Sequence, residues 1–192
     1  MKSVLKYAFL FVILSFAFSS FTGCGSDSAG TDKVIADKND TGSGYPKAPA
    51  AIANAEVELI DGGSFKLGDA GGKVILINLW ATWCGPCRNE MPELVKMQEM
   101  YGSRGFEVIG LDVGPEPLDL IRPFAEKMKL NYKLGWASEE LVGGFFDISQ
   151  RNGIPQSFLF NREGELTGVY FGGGPGVIEK MKENVAILMK EQ

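Results

Sequence analysis

The chain has 192 residues, 45% of them hydrophobic and 22% charged, with a formal charge of −5 at pH 7. That composition suits a globular domain with a sizeable core, and the acidic balance argues against nucleic acid and against a polybasic grip on anionic lipid. With no His and only three Cys, the four ligands of a zinc site are hard to assemble.

Lys2 and Lys6 open the chain, Tyr7 to Phe18 is an almost unbroken apolar run, and small polar residues lead into Phe21-Thr22-Gly23-Cys24. This is the pattern of a secretory signal. The run is shorter than the roughly 20 residues of a spanning helix. The block resembles a bacterial lipoprotein signal, Phe21 standing where an aliphatic residue is usual. That resemblance implies removal of residues 1–23, a lipid on Cys24 as the mature N-terminus, and an extracytoplasmic place on the periplasmic side of a bacterial membrane. Ordinary cleavage nearby or an uncleaved anchor are the alternatives. A lipidated Cys24 would also explain an odd Cys count and leave one thiol pair where disulfides persist. Residues 24–50 are rich in Gly, Ser, Asp, Lys, Ala and Pro without apolar period, and read as a flexible tether. The folded domain is therefore expected at 51–192.

Glu56 to Ile60 and Ser64 to Leu67 alternate in polarity around Asp61-Gly62 and predict a short hairpin. Gly71-Gly72 then feeds Lys73 to Trp80, an apolar run that reads as a buried strand. It delivers Trp83-Cys84-Gly85-Pro86-Cys87 to the start of a helix whose stripe includes Met91, Leu94 and Val95, running to about Tyr101 with Pro92 as a kink. Strand, C-x-x-C, helix is a redox arrangement. Cys84 would sit at the positive end of the helix dipole, which draws a thiol from a pKa of about 8.5 towards about 7. Arg88 occupies the place where haem attachment needs His. A structural disulfide stays open, although so short a loop stabilises little.

Phe106 to Val113 predicts a second buried strand, parallel to the first across the helix. Leu118 to Leu130 predicts a helix that Pro123 must bend or begin, Asn131 to Trp136 an extended segment, and Ser138 the cap of a helix towards Phe146. Gln156 to Phe160, the turn Asn161 to Gly164, and Glu165 to Phe171 form a hairpin. A final helix, Val177 to Lys190, carries Ile178, Met181, Val185 and Leu188 on one face.

The run Ile77 to Arg88, the Ile154-Pro155 step before a strand, and the strand and turn that follow closely resemble the thioredoxin superfamily. Asn78-Leu79-Trp80, the extra segment between Val113 and Ser138 and the lipoprotein start resemble its TlpA/ResA-like branch. The resemblance covers 51–192. It implies an α/β, thioredoxin-like fold: a central mixed β-sheet flanked by helices, with an N-terminal β-hairpin and an inserted helix-strand segment. Cys84 and Cys87 would be the redox pair, with no cofactor beyond their disulfide and no metal. Trp83, Gly85, Pro86, Ile154 and Pro155 would meet an extended substrate, Pro155 as a cis-proline. Asn78 replaces the buried acid of thioredoxin and cannot relay protons; Glu116 is the acid nearest in place to take over that task, its alternative being a solvated loop glutamate.

The activity implied is reduction of disulfides in exported proteins such as apocytochrome c, during cytochrome c maturation, by a monomer recharged by a membrane thiol donor. Gly85-Pro86 is the thioredoxin dipeptide, whose potential of about −270 mV contrasts with about −120 mV for a strong oxidant. Two rivals stand beside this reading. A peroxiredoxin of the same fold needs Pro and Thr or Ser where Ile77 and Ala81 stand, and a lipoprotein binding module would have kept the fold without the chemistry.

Overall fold

The computed structural model describes residues 48–69 and 71–190; the signal segment, Cys24 and most of the expected tether lie outside the described residues. Val74–Trp80 (β3) and Phe106–Asp112 (β4) are buried along their whole length. Strands hydrophobic on both faces belong at the centre of a layered sheet. The observed order accordingly puts Lys133–Trp136 (β5) beside β4, then β3, then Gln156–Phe160 (β6) and Leu166–Phe171 (β7). β3, β4 and β5 run parallel, whereas β6 is antiparallel to both β3 and β7. The sheet is mixed, as a thioredoxin-like fold requires.

Gly85–Tyr101 (α2) and Pro175–Leu188 (α5) cover one face, where Leu94, Met97, Val177, Met181 and Val185 pack on Val74, Leu76, Val108 and Leu159. Glu139–Ser149 (α4) and the short helix Ala50–Ala53 (α1) cover the other, with Leu141, Phe145 and Ile52 on Ile75, Ile77, Leu79, Ile109 and Phe158. Leu118–Met128 (α3) lies at the α2 side, its Phe124 stacked on Trp80 with ring centroids 5.4 Å apart. Among the described residues no helix is long and apolar enough to cross a membrane.

Several boundaries differ from the sequence expectation for identifiable reasons. Glu56–Glu58 (β1) and Ser64–Lys66 (β2) do pair antiparallel, but Leu59 leaves that ladder to bridge Gly135, and the Ile60 N–H donates to the Leu134 carbonyl at 2.9 Å. The hairpin is thereby stitched to the edge of β5. Gly135 has to be glycine there, because a Cβ would lie 2.6 Å from the Glu58 carbonyl oxygen. Packing starts ahead of Ala51, since the Ala48 N–H donates to the Gly164 carbonyl at 3.2 Å and Ile52 is buried. Pro123 lies inside α3, which begins at Leu118 after Pro117 in the cap position. In α5 the fully buried positions are Val177, Met181 and Val185, followed by Met189, with Ile178 and Leu188 only half-buried.

Candidate active site

Cys84 is the N-cap of α2, and its sulfur accepts the Cys87 N–H at 3.2 Å. The two cysteines are joined in a disulfide. The first turn of the helix contains no acidic residue, so its positive end is not spent on a carboxylate. Cys84 is 4% exposed and Cys87 is 0% exposed, which makes Cys84 the sulfur a partner can reach.

The other expected contact residues gather at this point. Ile154 packs in the same apolar cluster as Cys84, Cys87, Trp80 and Met91. The Ile154–Pro155 peptide bond is cis, and the Pro155 carbonyl accepts the Gly172 N–H at 3.0 Å. Pro86 and Trp83 face solvent, Trp83 at 66% exposure, whereas Trp80 is fully buried. Gly173 lies against the Pro86 carbonyl oxygen so closely that a Cβ would overlap it.

Two sets of buried acids flank the disulfide. Glu116 is buried, not a solvated loop residue; its carboxylate accepts the Thr82 N–H at 2.7 Å and the Thr82 hydroxyl at 2.5 Å, two residues ahead of Cys84. Behind it Asp112, at the end of β4, accepts the N–H groups of Gly114 and Glu116 at 3.1 and 3.0 Å. Burial, together with the Glu116 carboxylate beside it, pushes Asp112 up to about 6. For Glu116 burial works upward, but the Thr82 donors and the Asp112 carboxyl outweigh it and hold Glu116 below the usual carboxylate range.

Glu90 forms the second set. It follows Cys87 by one helical turn, is 2% exposed, and accepts from the Asn78 amide at 2.6 Å; that amide also reaches Ser157 at 3.0 Å. Burial pushes Glu90 up to about 8, the Asn78 hydrogen bond offsetting only part of the effect. Asn78 relays no proton itself, yet it holds an acid that can. Glu90 is not among the site residues expected from the sequence. The available signal was its place on the stripe of Cys87, Met91 and Leu94.

A cysteine pair where a central strand hands over to a helix, opposite a cis-proline at the head of the neighbouring strand, is the thioredoxin-like arrangement. The sequence profile of the AhpC/TSA family matches residues 47–169, and the chain belongs to that family. It is similar to the thiol-disulfide oxidoreductase ResA of Geobacillus kaustophilus, 29% identical over 113 residues, which span 59% of this chain and 63% of that protein. ResA of Bacillus subtilis is 29% identical over 119 residues, 62% of this chain and 64% of the relative. The chain thus spans a little under two thirds of the length of these relatives. Among solved structures, a thiol:disulfide interchange protein of the thioredoxin family from Chlorobium tepidum superposes with a TM-score of 0.64 at 29% identity, covering 76% of this chain and 97% of the other.

Proposed function

We propose that this chain is an extracytoplasmic thiol-disulfide oxidoreductase that reduces disulfides in exported proteins. The observation that carries the reading is the Cys84–Cys87 disulfide at the start of α2, with only Cys84 meeting solvent. In the dithiol form the Cys84 thiolate, favoured by the helix terminus, attacks one sulfur of a substrate disulfide. The substrate S–S bond breaks, one substrate thiolate leaves, and a mixed disulfide with Cys84 forms. Cys87 then gives its proton to a base and attacks the Cys84 sulfur, releasing the second substrate thiolate and leaving the disulfide seen here. Two electrons pass from the cysteine pair to the substrate.

Glu90, one turn from Cys87 and with its proton affinity raised towards neutrality, is the base best placed for the second step. The surface of Trp83, Gly85, Pro86, Ile154 and Pro155 would hold the substrate backbone. Ile77 and Ala81, both buried, leave the peroxidase reading without its motif.

The resemblance of the sequence to the TlpA/ResA-like branch points to cytochrome c maturation as the process served, with apocytochrome disulfides as clients and a membrane thiol donor returning the electrons. Lipid attachment at Cys24 rests on the N-terminal sequence. A Cys24→Ala chain is expected to leave the membrane fraction, and its retention there would remove the lipid anchor from the scheme.

The activity is tested by equilibrating the chain with defined thiol buffers and assaying disulfide reduction. A midpoint near or below about −270 mV fits a reductant, while one near −120 mV would make the protein an oxidant. Cys84→Ser is expected to lower turnover by at least about 10³-fold, as loss of a nucleophile does; retained turnover would refute the mechanism.

A further inference from the structure

Asp112 has no part in the scheme above, yet it is 0% exposed and lies directly behind the loop that presents Cys84. Its Oδ1 accepts the Gly114 and Glu116 N–H groups, which folds residues 113–116 back on themselves. The Trp136 indole N–H donates to the Glu116 carbonyl at 2.9 Å and pins the fold from β5. The Glu116 carboxylate, so placed, takes both donors of Thr82. The remaining oxygen of Asp112, Oδ2, is buried and receives no N–H or O–H from the described residues. The two side chains meet over Gly114, where a Cβ would lie 3.4 Å from the Glu116 Cγ and 3.8 Å from the Asp112 Oδ1, and each carboxyl shifts the titration of the other. Two carboxylates in contact away from water do not both stay charged. One proton between them turns a repulsion into a hydrogen bond. Each carboxyl has two donors, but those of Thr82 serve both oxygens of Glu116 whereas both donors to Asp112 fall on Oδ1. With Oδ2 unserved and the residue fully buried, Asp112 is the group left to carry the proton.

Resting on the functional reading above, we propose that Asp112 is a positioning residue for Cys84: its protonated carboxyl donates to Glu116, keeps that carboxylate clamped on Thr82, and so fixes residues 81–83 ahead of the nucleophile. With Asp112 held near 6, the clamp is closed in weak acid and loosens as pH rises through that value. Other charges on elements packed against β4 do not supply this switch. β3 has no ionisable side chain, Lys133 of β5 pairs with Glu107, a residue of β4 itself, and Arg104, in the turn that packs on β4 at the end away from Asp112, donates to the Met189 carbonyl. On α2, Arg88 donates to the Thr82 carbonyl, Glu90 is bonded to Asn78, Glu93 pairs with Lys96, and Glu99 lies in the last turn. Once the disulfide is reduced, the Cys84 thiolate is the further charge at this place.

The test follows Cys84 alkylation by iodoacetamide against pH in the reduced full chain, read on the Cys84 peptide by mass spectrometry. The wild type is expected to show, besides the thiol's own titration, a several-fold step centred near pH 6. In Asp112→Asn the amide donates to Glu116 at every pH while its oxygen keeps both loop N–H groups, so the step should vanish. In Glu116→Gln the like charge is gone and the side-chain amide donates to ionised Asp112, so ionisation no longer opens the clamp and the loosening step near pH 6 should be absent. A wild-type profile without the step, or a step near 6 that survives in Asp112→Asn, overturns the proposal. A merely structural Asp112 would leave the variant's profile parallel to that of the wild type. Because alkylation reads the thiol and not the client, loss of turnover on disulfide substrates with the step intact would sink the functional reading alone.

Discussion

The two faces of the sheet are built to different rules. Under α4 the inward run Ile75, Ile77, Leu79, Ile109, Leu111, Phe158 and Phe160 is apolar and buried, with polar side chains at two strand ends, Glu107 paired with Lys73 and Lys133 and Gln156 donating to the Arg151 and Gly153 carbonyls. Under α2 and α5 the alternate positions begin in the same way with Val74, Leu76, Val108 and Leu159, but end in Asn78, Asp112 and Ser157, equally buried. Burying a polar group without a partner costs free energy. The α2 face offsets part of that cost where its polar residues hold one another, Asn78 with Glu90 and Ser157, and Asp112 with the loop that carries Glu116, while Asn78 Oδ1 and Asp112 Oδ2 receive no donor from the described residues. Both faces admit polar side chains at strand ends, but only the α2 face places an acid of the sheet, Asp112, at the ends that meet the disulfide.

Glu90→Gln tests that difference most strongly. Folding raises Glu90 from an ordinary value of 4.5 to about 8, so the folded chain keeps a proton that the unfolded chain releases. The contribution is complete below the unfolded value and is lost as pH rises through the folded one. Gln keeps the acceptor for Asn78 and has nothing to ionise. The variant should be more stable than the wild type at pH 7 by on the order of 3 kcal/mol, with a stability curve that no longer falls between about 4.5 and about 8. Its resolution of the mixed disulfide should slow by about 10²-fold or more, as loss of a general base does. Denaturant melts across pH and single-turnover kinetics read the two effects. Equal pH dependence in both proteins would mean that the polar face carries no stability cost.

How far each face could be read from the sequence follows the same division. Alternation fixes the apolar face outright, since Ile75, Ile77 and Leu79 can only point one way once Val74 to Trp80 is a strand. The C-x-x-C and its helix were equally legible, because their chemistry is local. Glu116 was placed by resemblance, its burial undecided. Glu90 and Asp112 were missed for different reasons. Glu90 looks like the charged lead of a helix until the 3.6-residue period is extended back to Cys87. Asp112 looks like a strand end, and the residue that closes its surroundings, Trp136, comes 24 positions later in the chain. The bridge from Leu59 to Gly135 escaped for the same cause, since edge pairing of a hairpin with a distant strand leaves no local pattern.

The two faces also differ in how their covering helices begin, and this gives the smallest effect. α4 is capped by Ser138, whose hydroxyl accepts the Leu141 N–H at 3.2 Å, and Glu139 and Glu140 stand in its first turn. These groups satisfy and neutralise the helix terminus. α2 is capped by the reactive sulfur itself and has no acid in its first turn, so its terminus remains available to a thiolate. Ser138→Ala should therefore cost about 1 kcal/mol and lower Tm by roughly 2–5 °C, because only the apolar face loses part of its cover. The Cys84–Cys87 potential and the pH profile of Cys84 should not move. A shift of either in Ser138→Ala would show that the faces are coupled through the sheet, and the division between a stabilising side and a reactive side would have to be given up.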